Sequence, residues 1–212
     1  MVEIYDLLYG HYGDLGWWPA NNEDEIVIGA VLTQNTSWKN VEIALKHLRE
    51  KQFLGIKEIY RSNEDDLREA IRSAGFYNRK ARTLKLLSEG IIKRFGSVDG
   101  MRRMPDRNIL DFLESIHGIG AETRDDILLY ALDLPVFIVD GYTKRIFARF
   151  MGQKDVFPHL SMDEPAHKKL GLDVMQLKNL HAMLVHTAKD YCHKKPLCIN
   201  CPLKIKCAFA QE

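Results

Sequence analysis

Cysteine is missing from the first 191 positions of this 212-residue chain. The four cysteines it has, Cys192, Cys198, Cys201 and Cys207, all fall within the last 21 residues. The N-terminal MVEIYDLLYG lacks the charged-then-apolar order of a signal peptide. No apolar run approaches the roughly 20 residues of a membrane span. A cytoplasmic protein is therefore expected, nucleoid-associated in a prokaryote, and its thiols suit ligation better than a disulfide framework. An excess of either charge is also missing. Thirty Lys and Arg face 29 Asp and Glu, for a net charge of +1, so affinity for a polyanion has to come from local patches. Strand patterns are scarce: Val136–Val139 is the one strand-like run, too short to build a sheet. Internal repeats, low-complexity stretches and flexible linkers are absent as well. With 46% hydrophobic and 28% charged residues, the chain reads as one or two ordinary soluble domains.

What is present begins with the cysteine loop, spaced C-x5-C-x2-C-x5-C. It lacks the second C-x2-C pair of a zinc ribbon, and no His follows at finger spacing. Four thiolates also suit a [4Fe–4S] cluster, one per iron. Zinc stays open as the alternative. Lys194, Lys195, Lys204 and Lys206 lie inside the loop with no acid among them. Such a cluster is ordinarily solvated surface, but held rigidly it suits phosphate.

The rest reads as all-α. Ile26, Ile28, Val31 and Leu32 mark a helix before a polar TQNTS turn. Ser37 is placed to cap the next, whose stripe is Val41, Ala44, Leu45 and Leu48. Ser62 with Asp65 reads as a capping box for a helix closed by Gly75. Tyr77 to Phe95 forms a long amphipathic helix ended by Gly96, and Pro105 and Asp106 open another. Asp140 starts a helix through Phe150, and Leu172–Tyr191 leads helically into the cysteines.

Between two helices sits His117-Gly118-Ile119-Gly120, where glycines permit a tight turn with positive φ. The second helix starts near Ala121, and its free N–H groups suit one DNA phosphate. G-x-G alone is weak evidence; the flanking Ile116, Ile119, Ile127 and Leu128 make the pattern more specific.

This hairpin, the IVDGYTKRIFAR segment, the cysteine loop, AVLTQNTSW and AGFYNRKA together resemble the helix-hairpin-helix DNA glycosylases of the endonuclease III superfamily. Order and separation agree over nearly the whole chain. The resemblance implies a six-helix barrel over residues 20–134. It also implies a terminal helical domain, residues 1–19 and 135–212, carrying a [4Fe–4S] cluster on Cys192, Cys198, Cys201 and Cys207. The first cysteine gap, five residues here, is usually six in the family. The implied partner is double-stranded DNA containing damaged bases, bound by a monomer.

Asp140 matches the family's catalytic carboxylate. As a helix N-cap it should stay ionised, able to stabilise an oxocarbenium-like sugar or activate water. Locally an ordinary N-cap explains it equally well. Glycosylases of the family that also nick DNA carry a lysine where this chain has Glu122, and glutamate cannot form an imine. A monofunctional enzyme is expected, with Lys144 the one substitute nucleophile to weigh. By resemblance Gln34 fills the vacated base stack and Phe76 wedges the opposite strand. Arg79, Lys80, Lys144 and Arg145, with Gly118, Gly120, Thr123, Lys194 and Lys195, grip the backbone.

The pocket motifs look most like the 3-methyladenine DNA glycosylase III branch. The pattern around Trp18, the Trp38 of LTQNTSW, and Glu122 carry that likeness. Indole faces bind cationic alkylated purines by stacking and cation–π attraction, although most tryptophans are simply core. The adenine glycosylase acting opposite 8-oxoguanine is disfavoured, because Ala30 stands where that enzyme has a catalytic glutamate. The alternatives are removal of mismatched thymine or uracil or of oxidised pyrimidines, and a non-catalytic lesion-binding protein.

Overall fold

The structure is a computed structural model and describes residues 2–153 and 171–211. All its regular elements are helical among the described residues. In chain order they are α1 (Val2–Tyr12), α2 (Glu23–Leu32), α3 (Trp38–Glu50), α4 (Ile56–Arg61), α5 (Glu64–Ala70), α6 (Tyr77–Phe95), α7 (Val98–Arg102), α8 (Asp106–Ser115), α9 (Ala121–Asp126), α10 (Gly141–Met151) and α11 (Val174–Asp190). A 3-10 turn at Arg72–Ala74 precedes α6, and a π-helical turn at Ile127–Ala131 extends α9. None of the described helices is long and apolar enough to cross a membrane. The chain divides into two compact units, Ala20–Leu132 and the pair Met1–Pro19 with Asp133–Glu212.

The first unit is built around α2. Its residues from Val27 to Leu32 are all buried, so this helix is apolar on every side, as a central helix must be. Val27, Ile28, Val31 and Leu32 are fully buried, each contributing about 1.5–3 kcal/mol. Around α2 pack α3, α6 and the π-helical turn. One buried acid is needed at its start: Glu25 accepts from Asn21 Nδ2 at 2.8 Å and pairs with Arg49 at 3.0 Å. Two lysines of α6 close other helix ends. Lys85 donates to the carbonyls of Ile59, Tyr60 and Ser62, satisfying the last turn of α4.

Helix caps differ from the sequence expectation in two places. Ser62 does not open α5; it terminates α4, and its hydroxyl donates to the Ile59 carbonyl at 2.8 Å. Asn63 is the cap instead, accepting from the Asp65 N–H. Ser37 holds the N-cap position of α3 without a side-chain bond. Val136–Val139 forms no strand.

In the second unit α11 packs against α1 and α10. Asp173 and Gln176 form a capping box at the start of α11. Asn179 ties the N-terminal segment to α11, donating to the Gly13 carbonyl and accepting from the Leu15 N–H, each at 3.0 Å.

The packing of α6 on α8 gives a sharp test. A Cβ placed on Gly90 would come within 2.4 Å of the Phe112 ring. Gly→Ala inside an exposed helix normally stabilises by about 1 kcal/mol. Gly90→Ala is expected to destabilise by about 1–3 kcal/mol through overpacking, read as a lower urea midpoint with unchanged slope.

Candidate functional site

The hairpin between α8 and α9 turns at Gly118, whose φ is +96°. A side chain there would also strike Thr83 Oγ1 at 2.2 Å, so glycine is required twice over. Gly120, expected to share that conformation, has φ −91° and serves as the N-cap of α9. Arg124 of α9 clamps the hairpin shut, 2.6 Å from Glu114 of α8.

The loop after α2 is fastened to this turn. Gln34 Nε2 donates to the Gly118 carbonyl and to Thr123 Oγ1, each at 2.9 Å. Thr123 is therefore buried, a support for Gln34 and not the exposed DNA contact expected from the sequence. Between loop and hairpin opens a pocket of about 530 Å3. Ala30, Gln34, Asn35, Arg79, His117 and Glu122 are among its lining residues, and no lysine is among the described ones. Trp38 does not line it. Its indole N–H donates instead to Glu42 Oε1, one turn along α3, at 3.0 Å. Trp18 is half-buried in the other unit, its ring 5.9 Å from that of Trp17.

Phe76 stands out on the unit that holds the hairpin pocket. It is 60% exposed, and its φ of 46° lies in the left-handed region. A bulky residue held there costs about 1–3 kcal/mol, which points to function. The Arg79 guanidinium lies 5.3 Å over its ring. Lys80, expected beside phosphate with Arg79, is instead 2% exposed.

Asp140 is the N-cap of α10 and is 6% exposed. Oδ1 accepts from the Thr143 N–H at 2.6 Å, and Oδ2 lies 3.7 Å from His181 Nε2 of α11. Burial works against ionisation, but the His181 imidazole and the Thr143 N–H outweigh it. The carboxyl is held below its ordinary range. His181 was missed in the sequence because 41 residues separate it from Asp140 and no local spacing links them. Lys144, four residues on, is exposed.

The remaining turns of α10 hold the cysteine loop. Arg145 Nε donates to the Cys192 carbonyl at 2.8 Å and fastens the loop to α10. Arg149 Nη1 donates to Cys192 Sγ at 3.1 Å and to the His193 carbonyl at 2.6 Å. All four cysteines line one small pocket of about 20 Å3, walled also by Ile146, Leu203 and Phe209. Burial pushes the Cys201 and Cys207 thiols up, and the neighbouring thiols add to the rise. Among the described residues, no three His, Cys, Asp or Glu side chains form a group that could hold a metal ion. Lys194 and Lys195 are exposed, while Lys206 is paired with Glu3.

Residues 28–169 match the sequence pattern of the HhH-GPD superfamily of base excision DNA repair proteins. That span includes the α2 loop, the glycine hairpin and Asp140. The chain belongs to this superfamily. Within the HhH-GPD superfamily its relatives are endonuclease III-like. A Methanocaldococcus jannaschii protein, provisionally named a DNA repair glycosylase, is 43% identical over 98% of this chain and 95% of its own length. Endonuclease III of Sulfolobus acidocaldarius is 28% identical over 86% and 80%. Among solved structures, the 3-methyladenine DNA glycosylase of H. pylori bound to 1,N6-ethenoadenine superposes with a TM-score of 0.71. It is 28% identical, with 89% of this chain and 96% of that one covered. A non-covalent endonuclease III–DNA complex shares the fold at TM-score 0.78, with 21% identity over 99% and 94% of the two chains.

The depressed pKa of Asp140 has a stability signature. Its folded value lies below the unfolded 3.8, so its contribution is present above that value and lost as pH falls through the folded one. Asp140→Asn keeps an oxygen for the cap. Its stability deficit in urea unfolding should be full at pH 7 and shrink below about pH 4. A deficit that does not change with pH would show that Asp140 gains nothing from being charged.

Proposed function

We propose that this protein is a monofunctional DNA N-glycosylase that flips and excises alkylated purines such as 3-methyladenine. The observation that carries the reading is the chemistry of the hairpin pocket. Glu122 lines it and, among the described residues, no lysine does, so these residues offer no amine for a Schiff base but do offer a charge suited to a cationic base. N-alkylation at the purine ring already weakens the glycosidic bond and places positive charge on the base. Such a leaving group needs no general acid. It needs stabilisation of the sugar cation, and Asp140, buried yet held ionised, supplies a fixed negative charge for that step. The likeness to the H. pylori enzyme supports the same substrate class. Gln34 and Phe76 enter the duplex on this reading, with Arg79, Lys144, Lys194, Lys195 and the first turn of α9 on phosphate.

A second reading, removal of mismatched thymine or uracil, is favoured by relatives named for such activity. Thymine-DNA glycosylase of Aeropyrum pernix is 27% identical over 95% of this chain and 90% of its own length.

We assign an iron–sulfur cluster to the cysteine loop, because its donors are all sulfur and its four cysteines line one common pocket. Cys192, Cys198, Cys201 and Cys207 would hold it. Bound there, it would supply a rigid, electron-rich scaffold for the lysine-bearing loop.

Purified protein offered a panel of lesion duplexes should release 3-methyladenine in preference to mismatched thymine or uracil. No release of alkylated purine would sink the preferred substrate. Asp140→Asn should lower release by about 10³-fold while leaving lesion-duplex binding within about twofold, and unchanged release would refute the mechanism. Borohydride should trap no protein–DNA adduct. For the cluster, as-purified protein should be brown, absorbing near about 400 nm with roughly four irons per chain. A colourless zinc protein would overturn that assignment.

A further inference from the structure

Among the described residues Lys80 is the most deeply buried cation, and its two bonds fall at telling places. Nζ donates to the Leu32 carbonyl at 2.8 Å and to the Ala74 carbonyl at 2.7 Å. Leu32 ends α2, and Ala74 ends the 3-10 turn before α6. Helix ends leave carbonyls without intrahelical donors and carry the negative end of the helix dipole. That is how an ammonium can be buried here without a carboxylate beside it. Burial, helped by Arg79, still lowers its pKa to about 8.

Each carbonyl is the root of a loop. Gln34 lies two residues beyond Leu32, and Phe76 two residues beyond Ala74. The backbone N–H of Lys80 also donates to the Phe76 carbonyl at 3.0 Å. One residue is thus bonded to the base of the Gln34 loop, to the base of the Phe76 turn and to Phe76 itself. We propose that Lys80 is a positioning residue that fixes the spacing of these two loops so that Gln34 and Phe76 enter a duplex as a unit. This rests on the reading that both side chains insert into DNA. Lys85 provides an internal comparison. It lies on the same helix and also donates to helix-end carbonyls, but it closes α4 and roots neither loop.

The test uses the full-length protein and a duplex holding a tetrahydrofuran abasic analogue flanked by 2-aminopurine. Lys80→Met should weaken binding to this duplex by about tenfold, the size of one lost charge-assisted hydrogen bond. It should also abolish the 2-aminopurine fluorescence rise while leaving affinity for undamaged duplex unchanged. Lys85→Met, matched for loss of thermal stability, should change none of these. In a Gln34→Ala, Phe76→Ala background, Lys80→Met should have no further effect. Equal losses in both backgrounds, or the same losses in Lys85→Met, would overturn the positioning role while leaving insertion intact. Should the Gln34→Ala, Phe76→Ala protein bind the abasic duplex as the unaltered chain does, the insertion reading falls and the role of Lys80 with it. Where Lys80→Met does not fold, Lys80→Gln, uncharged and one bond shorter in reach, replaces it in the same cycle.

Discussion

Two hydrogen bonds from one amide hold the hairpin pocket together. Gln34 reaches across 84 and 89 residues of sequence to the Gly118 carbonyl and the Thr123 hydroxyl. The α2 loop and the hairpin supply opposite walls of the pocket, so these bonds fix its width. They also bear on whether Gln34 can leave for DNA. Each such bond has a net worth of about 0.5–1.5 kcal/mol, so releasing the amide costs about 1–3 kcal/mol in all. That is no more than the few kcal/mol of unstacking that base flipping already requires. An orphaned base offers the amide equivalent partners. The resting bonds can therefore organise the free protein without preventing insertion.

Electrostatic order in the other unit follows from α10. Its N-cap is Asp140, and its later turns carry Arg145 and Arg149 onto the cysteine loop. A carboxylate removed from water ordinarily becomes harder to ionise. Here His181 and the Thr143 N–H reverse that outcome. Cap, imidazole and loop all meet at α10, and a preorganised charge costs no reorganisation when the sugar cation forms.

Much of this was legible in the sequence because it rests on local rules. Tyr77–Phe95, the Pro105 start, the Gly96 stop and the Asp140 cap follow from periodicity and capping chemistry and need no distant partner. Ser62 misled because Ser-x-x-Asp resembles a capping box, whereas Asn63, one residue later, takes the cap. The site was harder to read wherever a partner lies far along the chain. His181 beside Asp140, Thr123 turned inward to Gln34, and Lys80 on two carbonyls all depend on tertiary contacts that no spacing encodes. Lys80 shows the limit well. Its neighbours Asn78 and Arg79 are exposed, and only the helix phase separates a surface cation from a buried one.

On the proposed reading, charge moves during the reaction, and the residues divide accordingly. A cationic base carries its charge into the pocket and loses it as the bond breaks, while the sugar gains it. A carboxylate near the base, such as Glu122, then favours the bound ground state and is less favourable once the base departs neutral. Its benefit is selection among bases, at some cost to the chemical step. Asp140 acts in the opposite sense, since its attraction is strongest when the sugar is cationic. Removing Glu122 should therefore act mainly on KM and on discrimination, and removing Asp140 on kcat. A neutral mismatched thymine brings no charge to reward Glu122 and leaves as a poorer group. On that reading the acid at position 122 favours a cationic alkylated purine over a neutral base.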